Sequence, residues 1–213
     1  EGVDIELVDE SIVSNTAGIL VDKDTYSEIE SKYGSVSINT VIQATIDGEI
    51  AMGYTNPYAS STGLNFLVSA LNCFDSNDIL STEAVESFVD FQANVPFVAY
   101  TTLQMREAAE SGALDAFIME NQTLYNDPSL KNYKFIPFGV EHNNPVYALG
   151  DLTSSQEELL DMFVDYCKNS KSQKLADEYG FNQIKNYKSD IPDIAGTSLI
   201  SAQKLWKEEK DAG

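Results

Sequence analysis

Ser60, Ser61 and Thr62 stand between an apolar stretch, Ile50-Ala51-Met52, and a run in which Leu64, Leu67, Val68 and Leu71 recur at helical spacing. Asn56-Pro57 enforces an extended turn ahead of them, so the three hydroxyls fall where a helix begins. The first N–H groups of a helix have no internal acceptor and carry the positive end of its dipole, and with hydroxyls beside them they can receive an oxyanion or a carboxylate. Serine and threonine also cap helices in this position, so the triplet by itself is compatible with capping or with binding. Thr101 or Thr102 caps another helix running through Ala109, and Glu120, Asn121 and Gln122 follow the buried strand Leu114 to Met119.

Other chemistry has little to stand on. His142 is the only histidine; it lies in a polar turn with no cysteine or serine motif near it and reads as exposed. Asp22-Lys23-Asp24-Thr25-Tyr26-Ser27 begins like a calcium loop, but Tyr26 and Ser27 occupy the places of an oxygen ligand and a glycine, so it reads as a helix cap. Asp151 to Ser155 resembles a metal-binding pattern and is explained more simply by a capping box at Ser154-Ser155-Gln156-Glu157. No glycine-rich phosphate loop exists, and among 34 acidic residues no pair stands out as acid and base. The expectation is therefore no catalytic residue, no metal and no cofactor. Arg106, the only arginine, reads as a solvated helix charge. Cys73 and Cys167 match no metal or redox spacing; they read as two buried thiols, with a disulfide the alternative in a secreted protein.

The 213 residues, 43% of them hydrophobic, suffice for one large domain or two small lobes. Net charge is −21 and uneven, since residues 1 to 105 contain only Lys23 and Lys32 against 16 acids. Such a field repels nucleic acid and anionic membrane surfaces, and no basic patch offsets it. No apolar run reaches the roughly 20 residues of a membrane helix, so direct membrane insertion by this chain is not expected.

Around the hydroxyl triplet, the pattern alternates strands and helices. Val3 to Val8 alternates like a strand and Ala17 to Val21 reads as a buried one. Helices follow at about Thr25 to Tyr33 and Ile38 to Ile46, each stopped by a glycine-containing turn. A helix from Ser81 places Val85, Phe88 and Val89 on one face, and Ser111-Gly112 ends the one begun at Thr101 or Thr102. Phe135 to Gly139 and Val146 to Leu149 are strand-like, and a long helix carries Leu159, Leu160, Phe163, Val164 and Cys167 as a buried stripe. A last segment with Leu175 ends at Gly180, residues 184 to 196 read as a linker, and Ser198 to Lys210 forms a short amphipathic helix that docks through Trp206. The alternation argues for an α/β fold with a largely parallel sheet.

With these parts in order, the chain resembles the bacterial extracellular solute-binding proteins of the type II periplasmic-binding fold. The strand Gly18 to Val21 stands where the chain of such proteins enters the second lobe. Asn56 to Gly63 is similar to their Ser/Thr-rich loop and helix start, and Glu107 to Met119 to the return toward the first lobe. The closing helices, with Phe163-Val164-Asp165-Tyr166 and Leu175 to Phe181, carry the likeness furthest; it covers about residues 12 to 184. It implies a second lobe at 12–125, with 1–11 and 126–184 supplying the crossover and C-terminal part of the first lobe. Most of that first lobe is expected outside this chain. Residues 197–213, with Ser201 to Lys207, resemble the lead-in to a von Willebrand factor A domain, so 185–213 is expected to be a linker and helix ahead of such a domain. The resemblance further implies an extracellular or cell-surface module, anchored by segments outside this chain, that captures a small polar or anionic solute without catalysis and presents it to a membrane transporter. The alternative is a surface interaction or adhesion scaffold without a ligand. The residues it implicates at the ligand are Tyr58, Ser60, Ser61, Thr62, Thr101, Thr102, Glu120, Asn121 and Gln122, with Tyr54 or Tyr100 lining the cleft.

Overall fold

A computed structural model describes residues 2–182, 189, 191 and 195–212. In chain order its elements are strands β1 (Ile5–Asp9), β2 (Ser14–Asn15) and β3 (Ala17–Asp22), helices α1 (Lys23–Tyr33) and α2 (Ile38–Ile46), strand β4 (Met52–Thr55), helices α3 (Ser61–Phe74) and α4 (Thr82–Ala93), and strand β5 (Phe97–Ala99). Then come α5 (Thr102–Glu110), β6 (Ala116–Glu120), α6 (Asn121–Asn126), a 3-10 turn at Pro128–Leu130, β7 (Tyr133–Pro137), β8 (His142–Asn143), β9 (Val146–Leu149), α7 (Ser154–Lys168), α8 (Ser170–Glu178) and α9 (Gly196–Ala212).

Strands β5-β4-β6-β3-β7 form the central sheet. β4 is parallel to β5 and β6, but β3 is antiparallel to both β6 and β7, so the sheet is mixed rather than largely parallel. Strand and helix alternation does not encode the direction in which the first strand enters. β3 comes in at the edge where β6 leaves, pairing Ala17 with Glu120.

Both faces of this sheet are covered. On one, Ile19, Val21 and Tyr54 pack with Phe66, Leu67 and Leu71 of α3, Phe88 and Phe91 of α4, and Trp206 of α9. On the other, Leu20, Phe117 and Met119 pack with Met105 and Ala109 of α5 and Leu130. Period-2 alternation along β3 divides its residues between the two clusters. α9 belongs to this body: Ala202 and Trp206 are buried, the indole Nε1–H donates to Tyr54 Oη at 2.6 Å, and Gln203 donates to Pro57 O at 2.8 Å. The helix read as the lead-in to a further domain therefore folds back onto the sheet, while the linker reading of 184–196 lies largely outside the described residues.

The remaining elements form two-stranded ladders, β1 with β9 and β2 with β8, and the helix pair α7–α8. The stripe expected to be buried on α7 is not: Leu159 and Phe163 are exposed, and Leu160, Val164 and Cys167 only partly covered. The stripe is present but no second layer faces it among the described residues. Its cap lies one residue earlier than expected, with Gln156 Oε1 accepting from Thr153 N at 2.9 Å. No disulfide joins Cys73 and Cys167, which are half-buried rather than buried. Arg106 is not a solvated charge; its guanidinium donates to Asp127 Oδ2 at 2.7 Å, and Asp127 is held below its ordinary range mainly by Ser129, with Arg106 adding to it. Asp22 does cap α1, accepting from Asp24 N at 2.9 Å.

Candidate functional site

Parallel β4, β5 and β6 all deliver their carboxyl ends to one edge of the sheet, and α3, α5 and α6 start there. The crevice outside such an edge is where open α/β sheets bind ligands, because loop side chains and unsatisfied helix N–H groups converge on it.

At α3, Ser60 is the N-cap: its hydroxyl accepts from Gly63 N at 3.2 Å and from Thr55 Oγ1 at 2.9 Å. Leu64 N donates to Ser60 O, so the N–H groups of Ser61 and Thr62 are the ones left without an acceptor among the described residues. Ser61 is exposed and Thr62 buried. Gly63 lets the helix start lie against β4, for a Cβ there would come within 2.1 Å of Thr55 O.

Beside this helix start lies a chain of polar contacts that the sequence did not point to. Thr62 Oγ1 donates to Glu120 Oε1 at 2.5 Å. Asn65, buried one turn on, donates through Nδ2 to Val140 O and to His142 Nε2, both at 2.9 Å, and accepts from Val140 N at 3.0 Å. An amide nitrogen can only donate, so His142 Nε2 is the acceptor and its proton sits on Nδ1. His142 is thus not an exposed turn residue: it forms β8, half-buried, and burial pushes its pKa down while the nearby Glu120 charge works against that shift. Gly139, at φ +71°, makes room for Asn65, whose Oδ1 would lie 1.9 Å from any Cβ there. A buried asparagine amid Leu64, Phe66 and Leu67 was the available signal for this cluster.

The other expected residues divide. Thr101 caps α5, accepting from Gln104 N at 3.3 Å, and Thr102 is the helix's first residue; both stand on the same edge, over β5. Tyr58 is exposed, its ring 6.1 Å from that of Trp206. Asn121 and Gln122 do structural work: their N–H groups bond to Thr16 O and Asn15 Oδ1, and Asn121 Nδ2 donates to Gly180 O. Tyr54 is core, buried against Phe66 and Phe91, whereas Tyr100 is exposed at the edge. Among the described residues no group of His, Cys, Asp or Glu is arranged to hold a metal ion, and no helix is long and apolar enough to cross a membrane.

Solved structures share this fold. A Bordetella parapertussis protein described as extracellular and solute-binding aligns with 96% of this chain and 68% of its own, at TM-score 0.65 and 16% identity. The fold is that of the periplasmic solute-binding proteins. A periplasmic thiamin-binding protein aligns over 94% of this chain and 64% of its own (TM-score 0.61, 10% identity), and iron-bound HitA from Pseudomonas aeruginosa over 95% and 68% (TM-score 0.58, 16% identity). The chain spans about two thirds of the length of these solute-binding folds. No family profile matches the sequence, and no curated protein matches it either.

Proposed function

We propose that this chain is the ligand-grasping part of an extracellular, non-catalytic solute-binding protein, which takes a small polar or anionic solute in the crevice at the carboxyl ends of β4 to β6. The observation that carries the reading is the pair of unsatisfied N–H groups at Ser61 and Thr62 set beside Glu120. Acceptor oxygens of a solute meet those N–H groups and the Ser61 hydroxyl, while the Glu120 carboxylate receives a donor of the same molecule. Structural neighbours described as binding thiamin or iron support capture of a solute rather than its conversion. In this reading an ABC-type membrane transporter receives the cargo, segments outside the chain hold it at the cell surface, and an adjacent von Willebrand factor A domain is reached through α9.

The test is a thermal-shift screen with hydroxy acids, amino acids and inorganic phosphate. A ligand present at a hundredfold excess over its Kd raises Tm by about 5–10 °C. Ser61→Pro removes one N–H and one hydroxyl at a helix position that tolerates proline, so it should abolish that rise and leave the ligand-free Tm unchanged. A rise that survives both Ser61→Pro and Glu120→Gln would remove the site. A chain that binds a protein partner and no solute, insensitive to both changes, would favour the scaffold alternative.

A further inference from the structure

We propose that the hollow between α9 and the carboxyl ends of β4 and β5 is a second ligand site, built for a small aromatic carboxylate. It encloses about 520 Å³ and is walled by Tyr58, Tyr100 and Trp206, with Val98 and Ala99 contributed by β5. That volume falls within the roughly 300–1,000 Å³ of small-molecule sites, which pair apolar walls with a few placed polar groups.

The walls are held in place. The Trp206 indole is fixed by its hydrogen bond to Tyr54 at 2.6 Å, and Tyr58 lies against it at 53° between ring planes. A third ring can pack against such a tilted pair in offset or edge-to-face geometry. Tyr100 lines the hollow at the end of β5, and its backbone N–H donates to Gln104 Oε1 at 3.0 Å.

The polar groups select the charge. Lys207 is neutralised by Asp211, but Lys210, also on the lining, has no carboxylate partner among the described residues, although acids outnumber bases 34 to 13 along the chain. Asn56 Oδ1 accepts from Tyr58 N at 2.8 Å, which leaves the Asn56 amide N–H₂ without a partner among the described residues. One uncompensated ammonium and one amide donor beside an aromatic slot suit a ring bearing a carboxylate; a cationic ring would meet the lysine charge instead. The hollow lies over the β4–β5 boundary, whereas Thr62 and Glu120 lie over β4–β6, so the two sites share the Asn56–Ser60 loop but not their recognition groups.

Trp206 is the only tryptophan in the chain and lines the hollow, so its emission has a single source that a ligand there would perturb. Titrating the full chain with benzoate should change that emission saturably. Lys210→Gln and Tyr100→Ala should each weaken the interaction about five- to tenfold, benzamide should bind at least as weakly as benzoate binds to Lys210→Gln, and Thr62→Val should leave benzoate binding unchanged. Tyr100 is 66% exposed, so its truncation does not disturb the core. No saturable change up to about 10 mM benzoate, binding by both variants as tight as that of the native chain, or a loss on Thr62→Val would each overturn the proposal, the last by moving benzoate to the crevice at Glu120. Because the crevice is read through Ser61→Pro, either site can fail without the other.

Discussion

Helices α3 and α7 carry comparable apolar stripes, yet Phe66, Leu67 and Leu71 of α3 are fully buried while Leu159 and Phe163 of α7 are 67% and 50% exposed. The same contrast separates the strands. β3 runs between two covered faces, whereas Ile5 of β1 and Leu149 of β9, paired in register, are each 65% exposed. A stripe selects which face of an element turns inward; only a second layer takes that face out of water. The central sheet has that layer on both sides, whereas the β1–β9 ladder buries Ala148 on one face and leaves Ile5, Leu7, Tyr147 and Leu149 exposed on the other. The exposed apolar set there is larger than the scattered residues normal for a surface, so this region reads as half of a packing unit.

Truncating one phenylalanine in each region gives the largest effect and breaks the comparison most directly. Phe66→Ala opens a cavity between Tyr54, Phe91 and Phe138 and should cost about 3–5 kcal/mol in urea unfolding. Phe163→Ala should cost under about 0.5 kcal/mol, as surface changes do. Similar losses at the two positions would mean that a further layer covers α7 in solution.

The contrast also explains what could be read from the sequence. Helix starts are legible to within a residue where a hydroxyl or an aspartate precedes an apolar run, since the cap is a local bond: Ser60, Thr101 and Asp22 perform it, and at α7 Thr153 does so in place of Ser154. The crevice edge was legible in part, because the Asn56 to Gly63 junction is contiguous. The partners across it were not. Thr62 and Glu120 lie 58 residues apart, Asn65 and His142 lie 77 apart, and nothing local in His142's polar turn signals that β8 folds over α3. Strand direction was hidden for the same reason, being a property of how β3 enters the sheet rather than of its residues. The exposure of α7 is not legible in its sequence, because periodicity gives a face and not its cover.

A smaller effect distinguishes the first turns of the same two helices. α3 begins against β4 through Gly63, where an added Cβ would press on Thr55 O; Gly63→Ala should cost about 1–3 kcal/mol and lift the helix start from the crevice. α7 begins free of the sheet, held by its own capping box, so Gln156→Ala should cost under about 1 kcal/mol. Hydrogen exchange at the Leu64 amide, which is bonded to Ser60 O in the first turn of α3, should rise only for the glycine variant; unchanged exchange there would show that backbone contact at Gly63 does not set the geometry of the site.

The smallest effect is a difference in pH response. His142 is half-buried as a neutral ring with its folded pKa below the ordinary 6.5, so between that folded value and 6.5 the unfolded chain binds the extra proton and stability falls as pH is lowered. The groups that face it are the Asn65 amide, which donates to it, and the Glu120 carboxylate, which opposes the shift without reversing it. In the other region, Asp9 is held below its ordinary 3.8, chiefly by the Lys168 ammonium that joins β1 to α7. That contribution is present above 3.8 and is lost only as pH falls through the lower folded value, so mild acid leaves it intact. As pH falls from 6.5 toward the folded pKa of His142, the contact between β8 and α3 should therefore weaken while the Asp9–Lys168 link holds. His142→Gln keeps an acceptor for Asn65 and does not titrate, and its unfolding midpoint should be flat across that interval where the native chain's declines. Parallel declines in the two proteins would mean that the histidine is not held neutral over α3, and with that the polar cluster behind the crevice would lose its anchor.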